Sequence, residues 1–159
     1  DSKLDNDVLA VLDNIISAMT VGDGTATLTS NFIADALVKF GEDIDGEKVL
    51  LIAPAQLAEL RKSEDWIKAT DIGADIIIKG TVGMIHGCQV VLSNKIKAEN
   101  GAYTNYIVKP GALAIYLKRD TEIENDRDIV NKTTVITADK HYTTHIADDA
   151  KAIKISAKE

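Results

Sequence analysis

The chain has 159 residues, of which 45% are hydrophobic, 27% charged and 4% aromatic, and its formal net charge is −7. This length suits one ordinary domain with an aliphatic core, and the acidic balance argues against binding to phosphate backbones or to anionic membrane surfaces. The single cysteine, Cys88, excludes an intrachain disulfide and a four-thiolate metal site, and it favours a reducing compartment.

The first predicted element is a helix. Apolar residues recur at helical spacing over residues 4–19, and the pattern looks as if the helix enters from upstream sequence. The chain starts with Asp1 rather than Met, so we expect a processed chain or a piece of a longer one. Residues 1–7 are acidic, which is unlike a signal peptide, and no apolar run approaches the ~20 residues that cross a bilayer.

A loop and a second helix follow. Residues 20–28 contain two glycines and several hydroxyl side chains, a composition typical of a loop. The next apolar stripe predicts a helix over about 30–40, with Thr29 or Ser30 as the N-cap and Gly41 as the stop.

A buried strand and a third helix come next. Residues 48–53, KVLLIA, form a short apolar run that predicts a strand buried on both faces. Pro54 then opens a helix, where its missing N–H costs nothing. The following residues, 55–69, predict one helix or two short ones, and Ser63 is a candidate cap for the second.

The rest of the chain is rich in β signals. Four short β-prone runs separated by glycines follow Gly73: ADIIIKG, TVGMIHG, CQVVLSN and YTNYIVKPG. Asn100–Gly101 predicts a tight hairpin turn. Further strands are predicted over 113–126, 130–146 and 151–157. Helices first and mostly antiparallel strands afterwards predict an α+β fold in one unit without internal repeats.

Two histidines four residues apart, in HYTTH (141–145), raise the question of a metal site. On a helix this spacing brings both ligands to one ion, but β-branched residues surround the motif and predict a strand. At roughly 3.3 Å per residue the two side chains then lie about 13 Å apart, too far for one ion. Alternation places Ile136, Ala138, Tyr142 and Ile146 on one face and Thr137, Asp139, His141 and His145 on the other, so we expect a polar strand face or a subunit contact.

His86 and Cys88 could be read as a base and its nucleophile, since alternate strand positions point the same way. The apolar residues around them favour a core strand instead, and a buried lone cysteine usually behaves as a small hydrophobe. The metal-dependent alternative is a small hydrolase that uses His86, His141 and His145 with Asp139 or Asp148. It requires at least three of these within ~5 Å of one point.

Three further motifs are better explained as structure. VGDGTA (21–26) lacks the Gly-Lys-Ser/Thr end of a phosphate loop. EDIDGE (42–47) lacks the twelve-residue calcium pattern, and both are typical of turns rich in Gly and Asp. The mixed charges of KRDTEIENDRD (118–128) indicate a solvated strand end or an interface with ion pairs. With no constellation for chemistry, the sequence predicts a structural or interaction protein rather than an enzyme.

Over most of its length the chain resembles the C-terminal half of the major capsid proteins of tailed bacteriophages. The order of features carries the likeness. It begins with a strand that ends in a Pro-led helix (49–62), then continues with the phrase G-x-V-G-x-I-x-G-x-x-V-V-x-S from Gly80 to Ser93. YIVKPGAL (106–113) and E-x-E-x-D-R-D (Glu122, Glu124, Asp126, Arg127, Asp128) follow, before a long closing strand.

The resemblance implies the phage major capsid fold. Residues 1–20 would be the end of the spine helix, residues 21–118 the axial domain, and residues 119–159 the strands that return to the peripheral domain. The N-terminal arm, the extended loop and most of the spine helix of that family would be missing. A non-viral protein shell or an adhesion module of similar fold is a further alternative.

The function implied is that of a structural subunit that forms the pentamers and hexamers of an icosahedral shell around the genome. Its partners would be copies of itself, with room for a scaffolding protein, and neither sequence-specific nucleic-acid binding nor membrane binding is expected. It would be assembled in the bacterial cytoplasm and end in the virion capsid, without a cofactor. From exposed charge and turn composition we predict subunit contacts at Asn100, Gly101, Asp120, Glu122, Arg127 and Asp128.

Overall fold

The computed structural model describes residues 2–62, 66–68, 81–128 and 130–158. Its helices are α1 (Ser2–Leu12), α2 (Ser30–Leu37) and α3 (Pro54–Arg61), with short 3-10 segments at Ser17–Met19, Val38–Ile44 and Asp149–Lys151. The strands are β1 (Thr20–Val21), β2 (Lys48–Ile52), β3 (Ile67–Lys68), β4 (Thr81–Ile85), β5 (Cys88–Leu92), β6 (Ala98–Glu99), β7 (Ala102–Val108), β8 (Leu113–Asp128), β9 (Thr133–Ile146) and β10 (Ala152–Lys158).

Most of the strands form one mixed sheet. Its order is β1-β10-β7-β2-β5-β4-β3, and β6 pairs with β7 beside that path. Strand β2 runs parallel to β5 and antiparallel to β7. Strands β8 and β9 pair only with each other among the described residues, as a separate two-stranded ribbon. The α+β class predicted from the sequence is confirmed.

The strand and the helix after it form where predicted, but the strand is fully buried on one face only. Leu50 and Ile52 of β2 are fully buried, whereas Val49 and Leu51 on the opposite face are half-buried. Pro54 occupies the first turn of α3, where no N–H partner is needed. The possible new start at Ser63 and the β-prone run ADIIIKG at 74–80 lie outside the described residues.

The first helix is shorter than predicted, since α1 ends at Leu12 and residues 17–19 form a 3-10 turn. Asp13 and Asn14 are weak helix formers, and the carboxylate of Asp13 accepts a hydrogen bond from the Tyr106 hydroxyl at 2.6 Å. Tertiary contacts therefore outweigh the helical pattern. Ile15 and Met19 still reach the core, which explains why the apolar stripe continues past the end of the helix.

Two local predictions are confirmed in detail. Thr29 caps α2, and its side-chain oxygen accepts a hydrogen bond from the Phe32 N–H at 3.3 Å. The predicted hairpin turn joins β6 to β7, with φ of 54° at Asn100 and 80° at Gly101. Positive φ at both central residues is the type I′ geometry that Asn-Gly favours.

Candidate functional site: an exposed two-stranded ribbon

The ribbon formed by β8 and β9 is the feature that sets this chain apart from a plain sheet domain. Sixteen residues of β8, at roughly 3.3 Å per residue, give it a length of about 50 Å. All residues from Asn131 to His141 are exposed, as are those from Ile115 to Thr121. The ribbon therefore projects beyond the core sheet over most of its length.

The two faces of the ribbon follow from its register. Leu113 lies opposite Ile146 at the base, and Ile123 lies opposite Ala138 farther out. The two shifts in register lie between Leu117 and Arg119 and between Arg119 and Glu122, so the extra residues are on β8. Strand β9 keeps its alternation, which confirms the predicted division of its residues into two faces.

One face carries most of the ribbon's apolar side chains, interrupted by residues such as Asn125 and Lys140, and we call it the apolar face. It carries Leu113, Ile115, Leu117 and Ile123 from β8, and Ile136, Ala138, Tyr142 and Ile146 from β9. Near the base, Tyr142 and Ile146 are half-buried. Farther out, Ile123 is 68% exposed and Ile136 is 69% exposed.

The opposite face is polar and mixes charges of both signs. Arg119 pairs with Glu122, and its other guanidinium nitrogen lies 3.7 Å from the Asp139 carboxylate. His141 Nε2 lies 3.2 Å from the same carboxylate. All these side chains are about half exposed, so each pair contributes little to stability in the isolated chain.

Pairing between β8 and β9 alone gives the ribbon little stability. An isolated two-stranded hairpin is marginally stable in water, and among the described residues no further strand pairs with either outer edge of this one. Several exposed apolar side chains on one face of a protein are typical of a site that contacts another molecule. The ribbon is therefore the part of the described chain best suited to contact other protein segments.

Helix α1 packs against the base of the ribbon. The Tyr142 hydroxyl donates a hydrogen bond to the Asp7 carboxylate at 2.6 Å, and this bond raises the pKa of Tyr142. The same helix is tied to the core sheet, because Lys95 Nζ lies 2.8 Å from the Asp5 carboxylate and lowers the pKa of that group. Helix α1 thus touches both parts of the molecule.

The contact between the end of α1 and the core is partly buried. The Tyr106 hydroxyl donates to Asp13 at 2.6 Å, and burial, together with that carboxylate, raises the pKa of Tyr106. Lys154 Nζ lies 3.2 Å from the same carboxylate. One carboxylate therefore links the end of α1 to strands β7 and β10.

The predicted contact residues fall into two separate places. Asn100 and Gly101 form the turn before β7, whereas Asp120, Glu122, Arg127 and Asp128 lie on β8, which begins beyond the other end of β7. Asp120, Glu122 and Arg127 have exposed or half-exposed side chains, and the Asp128 backbone pairs with Thr133. The structure does not bring the two groups together, and their role as contacts stays a prediction.

Sequence reasoning missed the exposed outer part of the apolar face. The alternation of Ile123 with charged neighbours, and of Ile136 with threonines, was a readable strand signal. The signal could not reveal that Ile123 and Ile136 stay exposed in the part of the chain that the structure describes.

The hydrolase hypothesis is not supported. His141 and His145 lie on one face of β9, and His86 lies in the turn between β4 and β5, where its Nε2 is 2.7 Å from the Ser30 hydroxyl. Among the described residues, no group of three His, Cys, Asp or Glu side chains could hold a metal ion.

The cysteine is also unsuited to nucleophilic chemistry in the folded chain. Cys88 is fully buried, and burial raises the pKa of its thiol to about 11. Its sulfur faces the backbone oxygen of His86 at 3.9 Å. The predicted role as a small core residue fits this environment.

The glycine-rich and acidic loops serve the local structure. In VGDGTA, the Asp23 carboxylate accepts hydrogen bonds from the Thr25 N–H at 3.0 Å and hydroxyl at 2.6 Å. In EDIDGE, the carbonyls of Ile44 and Gly46 accept from the buried Lys48 ammonium at 2.5 and 2.9 Å. A lysine ammonium therefore occupies carbonyl groups of the loop that resembles a calcium site.

No helix in the described part of the chain is long and apolar enough to cross a membrane.

Comparison with known proteins places these features in context. The family model described as "Phage capsid protein" matches residues 2–155. The major capsid protein of Staphylococcus phage phiMR11 is 37% identical over 157 residues, which cover 98% of this chain and 54% of that protein. The chain thus spans about half the length of this curated relative.

Solved structures show the same fold. The capsid of Ralstonia phage GP4 superposes with a TM-score of 0.70 at 16% identity, over 90% of this chain and 53% of that one. The SrpI encapsulin complex of Synechococcus elongatus PCC 7942 gives a TM-score of 0.68 at 12% identity, over 93% and 56% of the two chains. At these identities the likeness concerns the fold alone.

Proposed function

Because this chain belongs to the phage capsid protein family, we propose that it is part of a structural subunit that builds the shell of a tailed phage or prophage. Copies of the subunit assemble into pentamers and hexamers that enclose the genome. The ribbon is the observation that carries this proposal, since it exposes an apolar face and, within the described ranges, has two edges without a neighbouring strand.

The domain division of this subunit is part of the proposal. Residues 1–20 would end the spine helix, residues 21–118 would form the axial domain, and residues 119–159 would return to the peripheral domain. The predicted boundary at 118/119 falls inside β8, and β10 pairs with β7 and β1 in the main sheet. This pairing supports a different division of residues 113–159. In it, β10 belongs to the axial domain, and only the ribbon returns to the peripheral domain.

The partners and the place of assembly follow from the same role. Copies of the chain would contact one another through the ribbon, at Asp120, Glu122, Arg127 and Asp128, and through the turn at Asn100 and Gly101. A scaffolding protein would assist assembly in the bacterial cytoplasm, and the product would be the virion capsid. No observation favours the hydrolase, and the encapsulin likeness concerns the fold alone.

Expression of the complete reading frame that encodes this chain, followed by negative-stain electron microscopy, tests the function. We expect closed particles of uniform size. If only monomers form, co-expression with the neighbouring open reading frames supplies a scaffolding protein. Monomers under both conditions would contradict the proposal.

Charge reversal tests the contact residues. Arg127→Glu should reduce the yield of particles and leave the thermal unfolding midpoint unchanged, because this side chain is exposed. Lys39→Glu is the matched control, since Lys39 is an exposed cation in the 3-10 segment Val38–Ile44, outside the ribbon. Equal particle yields from Arg127→Glu and the wild type would remove Arg127 from the contact.

A further inference from the structure

The ribbon and part of the core sheet are one antiparallel ladder with a break in it. Strand β7 leads directly into β8, and β9 leads into β10. Pairing ends at Val108 opposite Ala152 and resumes at Leu113 opposite Ile146. The break therefore consists of residues 109–112 opposite residues 147–151, and we call these two segments the junction.

Few backbone hydrogen bonds cross the junction. The Ala112 carbonyl accepts from the N–H groups of Ala147 at 2.8 Å and Asp148 at 3.3 Å, and the Lys109 N–H donates to the Lys151 carbonyl at 2.9 Å. In place of a regular ladder, the first segment turns and the second contains a 3-10 turn. Bending at such a break disturbs less pairing than bending within either ladder.

The core side of the junction is firmly held. Lys109 is buried, its ammonium lies 2.9 Å from the Asp43 carboxylate, and it lies 5.4 Å from the centre of the Phe40 ring. At the other end of the same segment, next to the ribbon, the Ala112 side chain is fully buried. Motion at the junction is therefore motion of the ribbon rather than of the sheet.

The ribbon side is held by α1. This helix is fixed to the core through Asp13 and Asp5, and it reaches the ribbon through the Asp7–Tyr142 hydrogen bond. Tyr142 lies five residues before Ala147, on the ribbon side of the junction. Helix α1 thus connects the core sheet to the ribbon.

We infer that the ribbon pivots at the junction and that the Asp7–Tyr142 hydrogen bond sets its angle to the core sheet. Such a device suits a subunit that occupies five-fold and six-fold positions, since these positions require different angles between the same surfaces. This use of the pivot rests on the proposed function, whereas the pivot itself is a property of the single chain.

Single-molecule energy transfer on the full-length protein, at concentrations below the onset of assembly, measures the angle. One dye is attached at Thr137→Cys on the ribbon and the other at Ala58→Cys on α3, both exposed positions. Cys88 is buried, so the protein without introduced cysteines serves as the labelling control. We expect one main population in this labelled background.

The decisive variant is Tyr142→Phe, which removes the hydroxyl and keeps the ring. The fraction of molecules whose energy-transfer efficiency lies outside the main peak should rise on the order of tenfold. This change corresponds to the loss of one charge-assisted hydrogen bond. Tyr116→Phe is the matched control, because Tyr116 is a ribbon tyrosine on the opposite face from Tyr142. It should leave the distribution unchanged.

Two results would overturn the inference. One is an unchanged distribution in both Tyr142→Phe and Tyr142→Ala, which would mean that the junction alone fixes the ribbon. The other is equal broadening in Tyr116→Phe. Because the readout comes from single chains, a pivot in a protein that forms no particles would refute the proposed function and leave this inference standing.

Discussion

Replacing Ile136 with alanine separates the needs of the folded chain from those of the assembled particle. Ile136 lies on the apolar face and is 69% exposed, whereas Ile153 in β10 is fully buried. The same substitution at Ile153 is therefore a matched control. Both changes remove the same atoms from strands, so the environment accounts for any difference.

The expected magnitudes differ in each state. For the isolated chain, Ile153→Ala should lower the free energy of unfolding by about 2–5 kcal/mol, and Ile136→Ala should change it by less than about 0.5 kcal/mol. In the particle, full burial of an isoleucine is worth about 1.5–3 kcal/mol. Since roughly a third of Ile136 is already covered, about 1–2 kcal/mol per subunit remains for assembly.

Urea unfolding followed by circular dichroism gives the first quantity, and light scattering against protein concentration gives the onset of assembly. A loss of 1–2 kcal/mol corresponds to a rise in the onset concentration of about tenfold. The reasoning would be refuted if Ile136→Ala unfolded as easily as Ile153→Ala. It would also be refuted if Ile136→Ala assembled at the concentration of the wild type.

Three further predictions concern the core sheet. Gly22→Ala should lower the unfolding midpoint several degrees more than Gly101→Ala. The two positions have nearly equal φ of +81° and +80°, but only at Gly22 would an added Cβ clash with a backbone oxygen, that of Ser156 in β10. Equal midpoints in a thermal scan would contradict this. The free energy of unfolding, measured with urea, should fall as pH rises from about 9 to about 11. The reason is that burial raises the pKa of the Cys88 thiol, so the folded chain holds this proton more tightly than the unfolded chain. Cys88→Ala, which has no thiol, should lose that part of the pH dependence. Gln56→Ala should cost about 1–3 kcal/mol in the same assay, because it leaves the buried Asn105 amide, which donates to Gln56 at 2.8 Å, without that acceptor. The Asn105 oxygen already has no hydrogen-bond partner among the described residues. A cost as small as that of an exposed substitution would refute the role of this pair.

Features set by neighbouring residues could be predicted from the sequence. The cap at Thr29, the start of α3 at Pro54 and the turn at Asn100–Gly101 depend on backbone preferences of a few consecutive residues. The strand character of HYTTH likewise follows from its β-branched neighbours. Because these preferences are local, no knowledge of the rest of the chain was needed.

Features set by distant partners could not be predicted. Helix α1 ends at Leu12 because Asp13 binds Tyr106 and Lys154, which are 93 and 141 residues farther along the chain. His86, in the turn before β5, likewise forms a hydrogen bond with Ser30, which lies 56 residues away in the sequence. A pattern of apolar residues contains no information about such partners.

The sequence by itself determined the α+β class, the strand nature of the histidine segment and the absence of a readable catalytic motif, because periodicity and turn chemistry are properties of short stretches. Only the tertiary structure decided that β8 and β9 leave the main sheet, which strand faces remain uncovered, and how α1 connects the ribbon to the core. An alternating strand has the same pattern whether a neighbour covers its apolar face or solvent does. Burial is a property of the whole folded chain, so Ile123 and Ile136 could be recognised as exposed only once the fold was known.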